Sequence, residues 1–183
     1  GSKIVSIRDP STNITASVYM LDSLTPSTRA TAVAGYSIRK LSYLYTGPTV
    51  KVRRVSDSST VDFYAIDNTS TFSSYLYTNR NGTGITLNDW LLSTTGYVTT
   101  WYDQTGNGKH ATQTNTALQP VMSTSPRIDF ITNPGSYLDM PDNTIPSGNS
   151  SYTIYFYSNA FNNTTGSVLG AGNYAVDPSA VLA

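Results

Sequence analysis

The stretch Gly96-Tyr-Val-Thr-Thr-Trp-Tyr-Asp-Gln-Thr-Gly-Asn-Gly-Lys-His-Ala-Thr-Gln113 decides the fold of this chain. Its first half alternates as an extended strand does, and its second half, from Asp103 to Gly108, has the residue types that chain reversals favour. The stretch therefore predicts a strand that runs directly into a tight turn. The predicted strand has two faces: Val98, Thr100 and Tyr102 on one, and Tyr97, Thr99 and Trp101 on the other.

Upstream of this stretch, the sequence predicts a helix and then a β-hairpin. Residues 26–45 begin with a Thr cap and Pro26, carry apolar residues at helical spacing and are followed by Gly47-Pro48, which is typical of a helix. Residues 49–55 and 60–65 alternate on either side of a Ser-rich turn and predict the hairpin. Residues 67–85 are expected to form a long loop with one short strand, and residues 87–92 a short helix that seats Trp90 against the core.

Downstream of this stretch, brief strands are predicted at 119–122, 127–131, 136–140, 152–157 and 167–169. Short strands separated by Gly, Pro and Asn indicate an antiparallel sandwich or barrel. The expected fold is therefore mainly β: an antiparallel jelly-roll-like sandwich, or part of one, with one amphipathic helix near the amino end. We expect residues 1–24 to be a tag scar (Gly1-Ser2) and a linker or edge strand, and residues 25–183 to be one β domain from a longer protein.

Composition excludes several classes of function. The formal net charge is zero, so there is no basic field to hold nucleic acid, and no apolar run is long enough to span a membrane. All eleven acidic residues are aspartates, which removes the glutamate that glycosidases commonly use, and the lack of cysteine removes disulfides and thiolate metal sites. Sequons that would place glycans on surface loops occur at Asn13, Asn68, Asn81, Asn149, Asn162 and Asn163.

Two separated stretches together resemble a known enzyme family. The segment 35–48 with Val52-Arg-Arg-Val-Ser-Asp-Ser-Ser-Thr60, followed by Tyr102-Asp-Gln-Thr-Gly-Asn-Gly-Lys-His110, resembles the amino-terminal half of the catalytic domain of fungal-type α-L-arabinofuranosidase B. From Asp103 onward the chain is also similar to laminin-G-like, concanavalin-A-like jelly rolls, through the segments 127–130, 136–141 and 151–157. Such modules also occur in structural proteins of large DNA viruses and phages, and this Ser-, Thr- and Tyr-rich chain without cysteine is similar to those.

The chain departs from that enzyme family where catalysis would occur. The resemblance implies a glutamate nucleophile, an aspartate acid/base in the later half of the sandwich and a disulfide between adjacent cysteines. This sequence has neither glutamate nor cysteine, so no catalytic residue is carried over.

Asp103 has two interpretations. Asp103, Thr105 and Asn107 occupy the first, third and fifth places of a Ca²⁺-loop pattern, although the twelfth place is Thr114 instead of Glu. The alternative, which the sequence favours, is a structural aspartate whose carboxylate accepts backbone N–H groups and holds the turn. No other cofactor is predicted.

The other polar candidates favour structural roles. His110, the one histidine, is expected to be a hydrogen-bonded structural residue. Two aspartate pairs, Asp57 with Asp62 and Asp129 with Asp139, remain as routes to a hydrolase if their carboxyl groups approach each other. Arg53 and Arg54 point to opposite faces of a strand, and pairing with Asp57 or Asp62 is favoured over a phosphate site.

Aromatic residues give the better functional hint, because sugars stack on ring faces and hydrogen-bond to polar ring substituents. The candidate carbohydrate-binding residues are Tyr75, Tyr77, Trp101, Tyr102, Asp103, Asn107 and Tyr137. The sequence thus predicts a non-enzymatic module at an extracellular or virion surface that binds glycans, other structural proteins or further copies of itself. The alternatives are a glycoside hydrolase fragment whose catalytic carboxylates lie outside this chain, and a purely architectural assembly domain.

Overall fold

The fold was analysed in a computed structural model that describes residues 19–66, 76–123, 127–130, 135–145, 151 and 153. The chain divides into two compact units, residues 1–141 and residues 142–183. Of the second unit only a few residues are described, and the described helices and strands lie in the first. The predicted domain boundary near residue 24 stays a prediction.

An antiparallel sheet forms the centre of the first unit. Its main strands are β1 (Val50–Arg54), β2 (Thr60–Ala65) and β4 (Gly96–Trp101). Two-residue strands complete it: β3 (Leu76–Tyr77), β5 (Ala111–Thr112), β6 (Val121–Met122) and β7 (Ile128–Asp129). The order is β3-β2-β1-β4-β6-β7, and β5 pairs with the other end of β4. The prediction of a mainly β, antiparallel fold is confirmed, whereas a jelly-roll topology stays a prediction.

The predicted hairpin is present as β1 and β2. Lys51 pairs with Asp62 and Val52 with Val61, and the Arg54 N–H donates to the Ser59 carbonyl at 2.9 Å to close the turn. Because paired residues share a face, the alternation seen in the sequence becomes a buried side and a polar side. Val50, Val52 and Phe63 on the buried side are fully inaccessible to solvent.

A short helix, α2 (Leu87–Leu91), covers the buried side of the sheet, as the sequence predicted. Thr86 caps it by accepting the Asp89 N–H, and Leu92 ends it in the left-handed region with φ 51°. The Trp90 ring packs edge-on against Phe63, with 5.3 Å between ring centroids. The core consists of Val50, Val52, Phe63, Leu76, Leu87, Trp90, Leu91, Val98 and Met122.

A β-bulge at Thr99 changes which residues of β4 share a face. Val52 pairs with Val98, but Lys51 pairs with Thr100 and Val50 with Trp101, so β4 has one extra residue there. The simple alternation predicted from the sequence is therefore wrong along this strand. Trp101 shares the core face with Val98, and Thr100 shares the polar face with Lys51.

The helix predicted over residues 26–45 is wrong beyond residue 30. Thr25 caps α1 (Pro26–Ala30), which buries none of its residues, and the chain then continues through turns and irregular backbone to β1. The backbone groups of residues 35–41 bond instead to side chains of the turn after β4, as described below. No helix among the described residues has the length and apolar character needed to cross a bilayer.

The later predicted strands have mixed outcomes. Those at 119–122 and 127–131 are present in shorter form as β6 and β7, and the one at 136–140 contributes a single bridge between Asp139 and Thr112. The short strand expected within residues 67–85 is β3, while residues 67–75 lie outside the described part of the chain. The strands predicted at 152–157 and 167–169 also lie outside it, apart from Thr153.

Candidate functional site

The turn that follows β4 is built around the carboxylate of Asp103, which is only 2% exposed. One of its oxygens accepts the backbone N–H groups of Gly35 and Thr105, each at 2.9 Å, and the other accepts the Lys109 N–H at 3.2 Å. The Thr105 hydroxyl lies 2.8 and 2.9 Å from the two oxygens. Asp103 therefore holds its own turn closed and ties it to a segment nearly seventy residues earlier.

Two amides of the same turn hold that earlier segment. Gln104, 3% exposed, donates to the carbonyls of Ser37 and Arg39 at 2.8 and 2.7 Å and accepts the Leu41 N–H at 2.8 Å. Asn107 donates to the carbonyls of Ala32 and Val33 at 2.8 and 3.0 Å. We call Asp103, Gln104 and Asn107 the clamp, because together they bond the backbone of residues 32–41.

The clamp bears on the calcium hypothesis for Asp103, Thr105 and Asn107. The Asp103 oxygens already accept three backbone N–H groups and a hydroxyl, so a cation would have to displace these donors. No group of three or more metal-ligating His or Asp side chains occurs among the residues that the structure describes. The calcium site stays a prediction that this geometry does not favour, and the arrangement matches the structural interpretation of Asp103.

His110 connects the clamp to Tyr102. Its Nδ1 accepts the backbone N–H of Asp103 at 3.1 Å, and its ring meets the Tyr102 ring edge-on, with 4.9 Å between centroids. The imidazole thus has the hydrogen-bonded structural role expected from the sequence. It also fixes the orientation of the Tyr102 ring at the end of β4.

The polar face of the sheet brings several charged and aromatic side chains together. We define it by Lys51, Arg53, Asp62, Tyr64, Thr100 and Tyr102, which lie on or directly after three adjacent strands. The Tyr102 hydroxyl donates to Asp62 at 2.7 Å, and the Lys51 ammonium lies 3.6 Å from the same carboxylate oxygen. The Asp62 and Lys51 side chains are 36% and 37% exposed, so both keep access to solvent.

Asp62 affects two tyrosines. The Tyr102 hydroxyl bonds its carboxylate, whereas the Tyr45 hydroxyl donates to the Pro48 carbonyl at 2.6 Å. Burial, and then the charges of Asp103, Tyr64 and Asp62, raises the pKa of Tyr45 to about 12. Burial, followed by the hydrogen bond to Asp62, raises the pKa of Tyr102 above its ordinary range. Thr49 lies between Tyr64 and Tyr102 in the sheet, and it is fully buried. Tyr102 and Asp62 thus form a partly buried, hydrogen-bonded pair on the polar face.

The raised tyrosine pKa values predict a loss of stability in alkali. A group whose pKa is higher in the folded state contributes stability that is complete below its unfolded value, about 10 for Tyr, and is lost as the pH rises through the folded value. We therefore expect the free energy of unfolding to fall between pH 10 and 12, as measured by urea denaturation. Tyr45→Phe should flatten this slope, because it removes one tyrosine whose pKa burial raises. An unchanged slope in Tyr45→Phe would contradict the assignment.

The structure separates the aromatic residues singled out from the sequence. Tyr77 pairs with Tyr64 across β3 and β2, so it shares the polar face with Tyr102. Trp101 lies on the core face beside Tyr36, at 5.7 Å between ring centroids, and Tyr137 is 45% exposed near Gln113. Asp103 and Asn107 belong to the clamp, and Tyr75 lies outside the described residues. Among the candidates that the structure describes, Tyr77 and Tyr102 are thus the two that share the polar face.

The four aspartates considered as catalytic pairs have separate partners. Asp57 is held by Arg54 through bonds of 3.1 and 2.5 Å, which hold the pKa of its carboxyl well below its usual range, and Asp62 is held by Tyr102 and Lys51. Asp129 bonds Arg127 at 2.6 Å on β7, and Asp139 bridges Thr112 beside β5. The expected pairing of the hairpin arginines with Asp57 is found for Arg54 and not for Arg53.

Sequence reasoning missed Lys51, Asp62, Tyr45 and Tyr64 as members of one surface, and Gln104 as a member of the clamp. The sequence does contain the signal that Lys51 and Asp62 face each other, because the predicted hairpin brings them opposite each other if its turn is fixed at residues 56–59. The positions of Tyr45 and Gln104 depend on contacts between distant segments, which alternation does not reveal.

Comparisons with known proteins add little information about function to the geometry described above. Neither protein-family models nor curated proteins match the chain. A solved structure that matches is a GH54 α-L-arabinofuranosidase soaked with a cyclic sulfate inhibitor, at 28% sequence identity and a TM-score of 0.31. The match covers 45% of this chain and 15% of that chain. The sequence resemblance to arabinofuranosidases thus has a weak structural counterpart, and a likeness at this TM-score carries no statement about the activity of this chain.

Proposed function

We propose that this chain is a carbohydrate-binding β module that acts by contact and not by catalysis, at an extracellular or virion surface. The observation that carries the proposal is the polar face, where Tyr102 and Lys51 converge on the half-exposed carboxylate of Asp62. Carbohydrate recognition needs apolar ring surface together with a few fixed polar groups, and this face provides both.

In the proposed mechanism the glycan binds to a shallow surface instead of a deep pocket. Tyr64, Tyr77 and Tyr102 provide ring surface on the polar face, and Asp62 accepts hydrogen bonds from sugar hydroxyls with the lone pairs that Tyr102 does not use. Tyr102 and His110 hold each other in a fixed orientation, which limits the conformational entropy lost on binding. Because one such surface binds weakly, useful affinity would come from several copies acting together.

An array of glycans probed with an oligomeric form of the protein tests the proposal. We expect binding to at least one class of glycan, reduced about tenfold by Asp62→Asn, because a hydrogen bond to a charged group contributes about 1.5–3 kcal/mol. Asp129→Asn is the matched control, since the Asp129 side chain is also 36% exposed and also ion-paired. It should leave binding unchanged.

Three results would overturn the proposal. They are no signal above background for any glycan, equal losses in the two aspartate variants, and cleavage of a bound glycan. Cleavage would favour the hydrolase alternative. Absence of glycan binding together with a symmetric assembly burying well over about 1,000 Å² would favour the architectural alternative.

A further inference from the structure

Arg53 and Arg54 are neighbours with different environments. Arg54 bonds Asp57 twice, donates to the Trp90 carbonyl and lies 4.8 Å from the Trp90 ring centroid, so its charge is compensated. Arg53 lies on the polar face and has no carboxylate partner among the residues that the structure describes. A half-buried guanidinium without an anion is a candidate for binding one.

The orientation of Arg53 is fixed from two sides. Its Nε donates to Oε1 of Gln119 at 2.8 Å, and its guanidinium carbon lies 5.1 Å from the Tyr97 ring centroid. Gln119 is itself 3% exposed, and its amide donates to the Gln113 carbonyl at 2.9 Å. Since Nε is engaged, the two terminal nitrogens of Arg53 remain without an acceptor in the described part of the chain, in a geometry that packing holds constant.

Lys51 adds a second positive charge to the same strand. It lies two residues before Arg53 on the polar face, about 7 Å away along β1. Asp62 compensates Lys51 at 3.6 Å, but the pair is more than one-third exposed and therefore weak. The part of the polar face formed by Lys51, Arg53 and Asp62 thus has a net charge of +1, next to the ring surface of Tyr102.

We propose that Arg53 binds the carboxylate or sulfate group of an anionic saccharide whose sugar rings contact the polar face. This inference rests on the proposed function and names its ligand class. The planar fork of an arginine matches a carboxylate or sulfate with two parallel hydrogen bonds, which an ammonium group cannot make. The polar face crosses three adjacent strands, β2, β1 and β4, which is about 10 Å at the usual strand spacing and suits an oligosaccharide better than a single sugar.

Calorimetric titration with three polysaccharides of similar length tests the inference: one sulfated, one built of uronic acids and one neutral. We expect the wild-type protein to bind at least one anionic polymer about tenfold more tightly than the neutral one, since charge-assisted hydrogen bonds are roughly twice as strong as neutral ones. Arg53→Gln should remove this preference, so that the variant binds the anionic and the neutral polymers with equal affinity. Arg53→Lys, which keeps the charge and loses the fork, should remove most of it.

Arg80→Gln is the matched control, because it removes the same charge from an exposed turn residue outside the polar face. Equal losses in Arg53→Gln and Arg80→Gln would show a net-charge effect and overturn the inference, as would equal affinity of the wild type for neutral and anionic polymers. A competition with inorganic sulfate, at the same concentration of sulfate groups, distinguishes the two sources of the anion. If inorganic sulfate displaces the anionic polymer, Arg53 binds free oxyanions, and the assignment to a saccharide is overturned. Binding of the neutral polymer alone overturns this inference and keeps the proposed function, whereas failure of all three polymers overturns both.

Discussion

Replacing Asp103 with alanine is expected to lower the free energy of unfolding by about 4 kcal/mol, because each buried donor left without an acceptor costs about 1–3 kcal/mol. The change removes the acceptor of the Gly35, Thr105 and Lys109 N–H groups at once, in a position that is 2% exposed. Urea denaturation followed by fluorescence would measure the loss.

Two further aspartate variants provide comparisons for the stability lost in Asp103→Ala. Asp103→Asn keeps the shape but turns one acceptor into a donor that faces N–H groups, so it should also be strongly destabilising. Asp129→Asn, in an exposed ion pair on β7, should cost less than about 1 kcal/mol. A cost for Asp103→Ala as small as that of Asp129→Asn would mean that the clamp does not hold the fold.

Gln104→Ala is expected to lower the free energy of unfolding by about 3 kcal/mol, since it removes the side chain that bonds two part-buried carbonyls and one N–H. Gln104→Glu is the sharper variant. It keeps the acceptor for the Leu41 N–H and places a carboxylate against the Ser37 and Arg39 carbonyls, which should cost at least as much.

Hydrogen exchange gives this second prediction a local readout. The Leu41 amide should exchange much faster in Gln104→Ala, measured relative to the change in global stability, whereas the Val52 amide in the centre of the sheet should follow global unfolding only. Equal acceleration at both amides would show that Gln104 acts on the whole fold and not on the segment that it bonds.

The features that the sequence predicted well are those whose hydrogen bonds close locally. The hairpin of β1 and β2 and the capped helix α2 each depend on residues within a few positions of one another, and both were predicted. The strand β4 was predicted in extent but not in the identity of its faces, because the bulge at Thr99 depends on how β1 pairs with it. Register between strands far apart in sequence is not contained in either strand alone.

The helix predicted over residues 26–45 was wrong because long-range contacts, which a local pattern does not reveal, decide the structure there. Residues 26–45 have helical spacing and a good cap, but most helical stability in proteins comes from packing an apolar face, and α1 buries none of its residues. Backbone groups of Gly35 and Leu41 find partners in the clamp, at sequence separations of 68 and 63 residues. Those bonds come from buried side chains that no local pattern locates, and they replace the helical bonds.

The candidate site follows the same division. Tyr77 and Tyr102 were identified because tyrosine is common in binding sites. Lys51 was not identified, and Asp62 was considered only as a partner of Asp57 or of the hairpin arginines, because only the sheet places both beside Tyr102. Tyr45 reaches the group from irregular backbone, so no periodicity predicts it.

Because of the bulge at Thr99, the number of residues in β4 decides which of its side chains face the core and which lie on the polar face. The identity of those side chains matters less for this choice. With Thr99 present, Trp101 turns inward beside Val50 and Tyr102 reaches Asp62. Deleting that one residue would exchange the two rings, because a shift of one position moves every later side chain to the opposite face. Substitutions along the polar face can therefore change what it contacts while the fold persists, but an insertion or deletion within β4 would change both together.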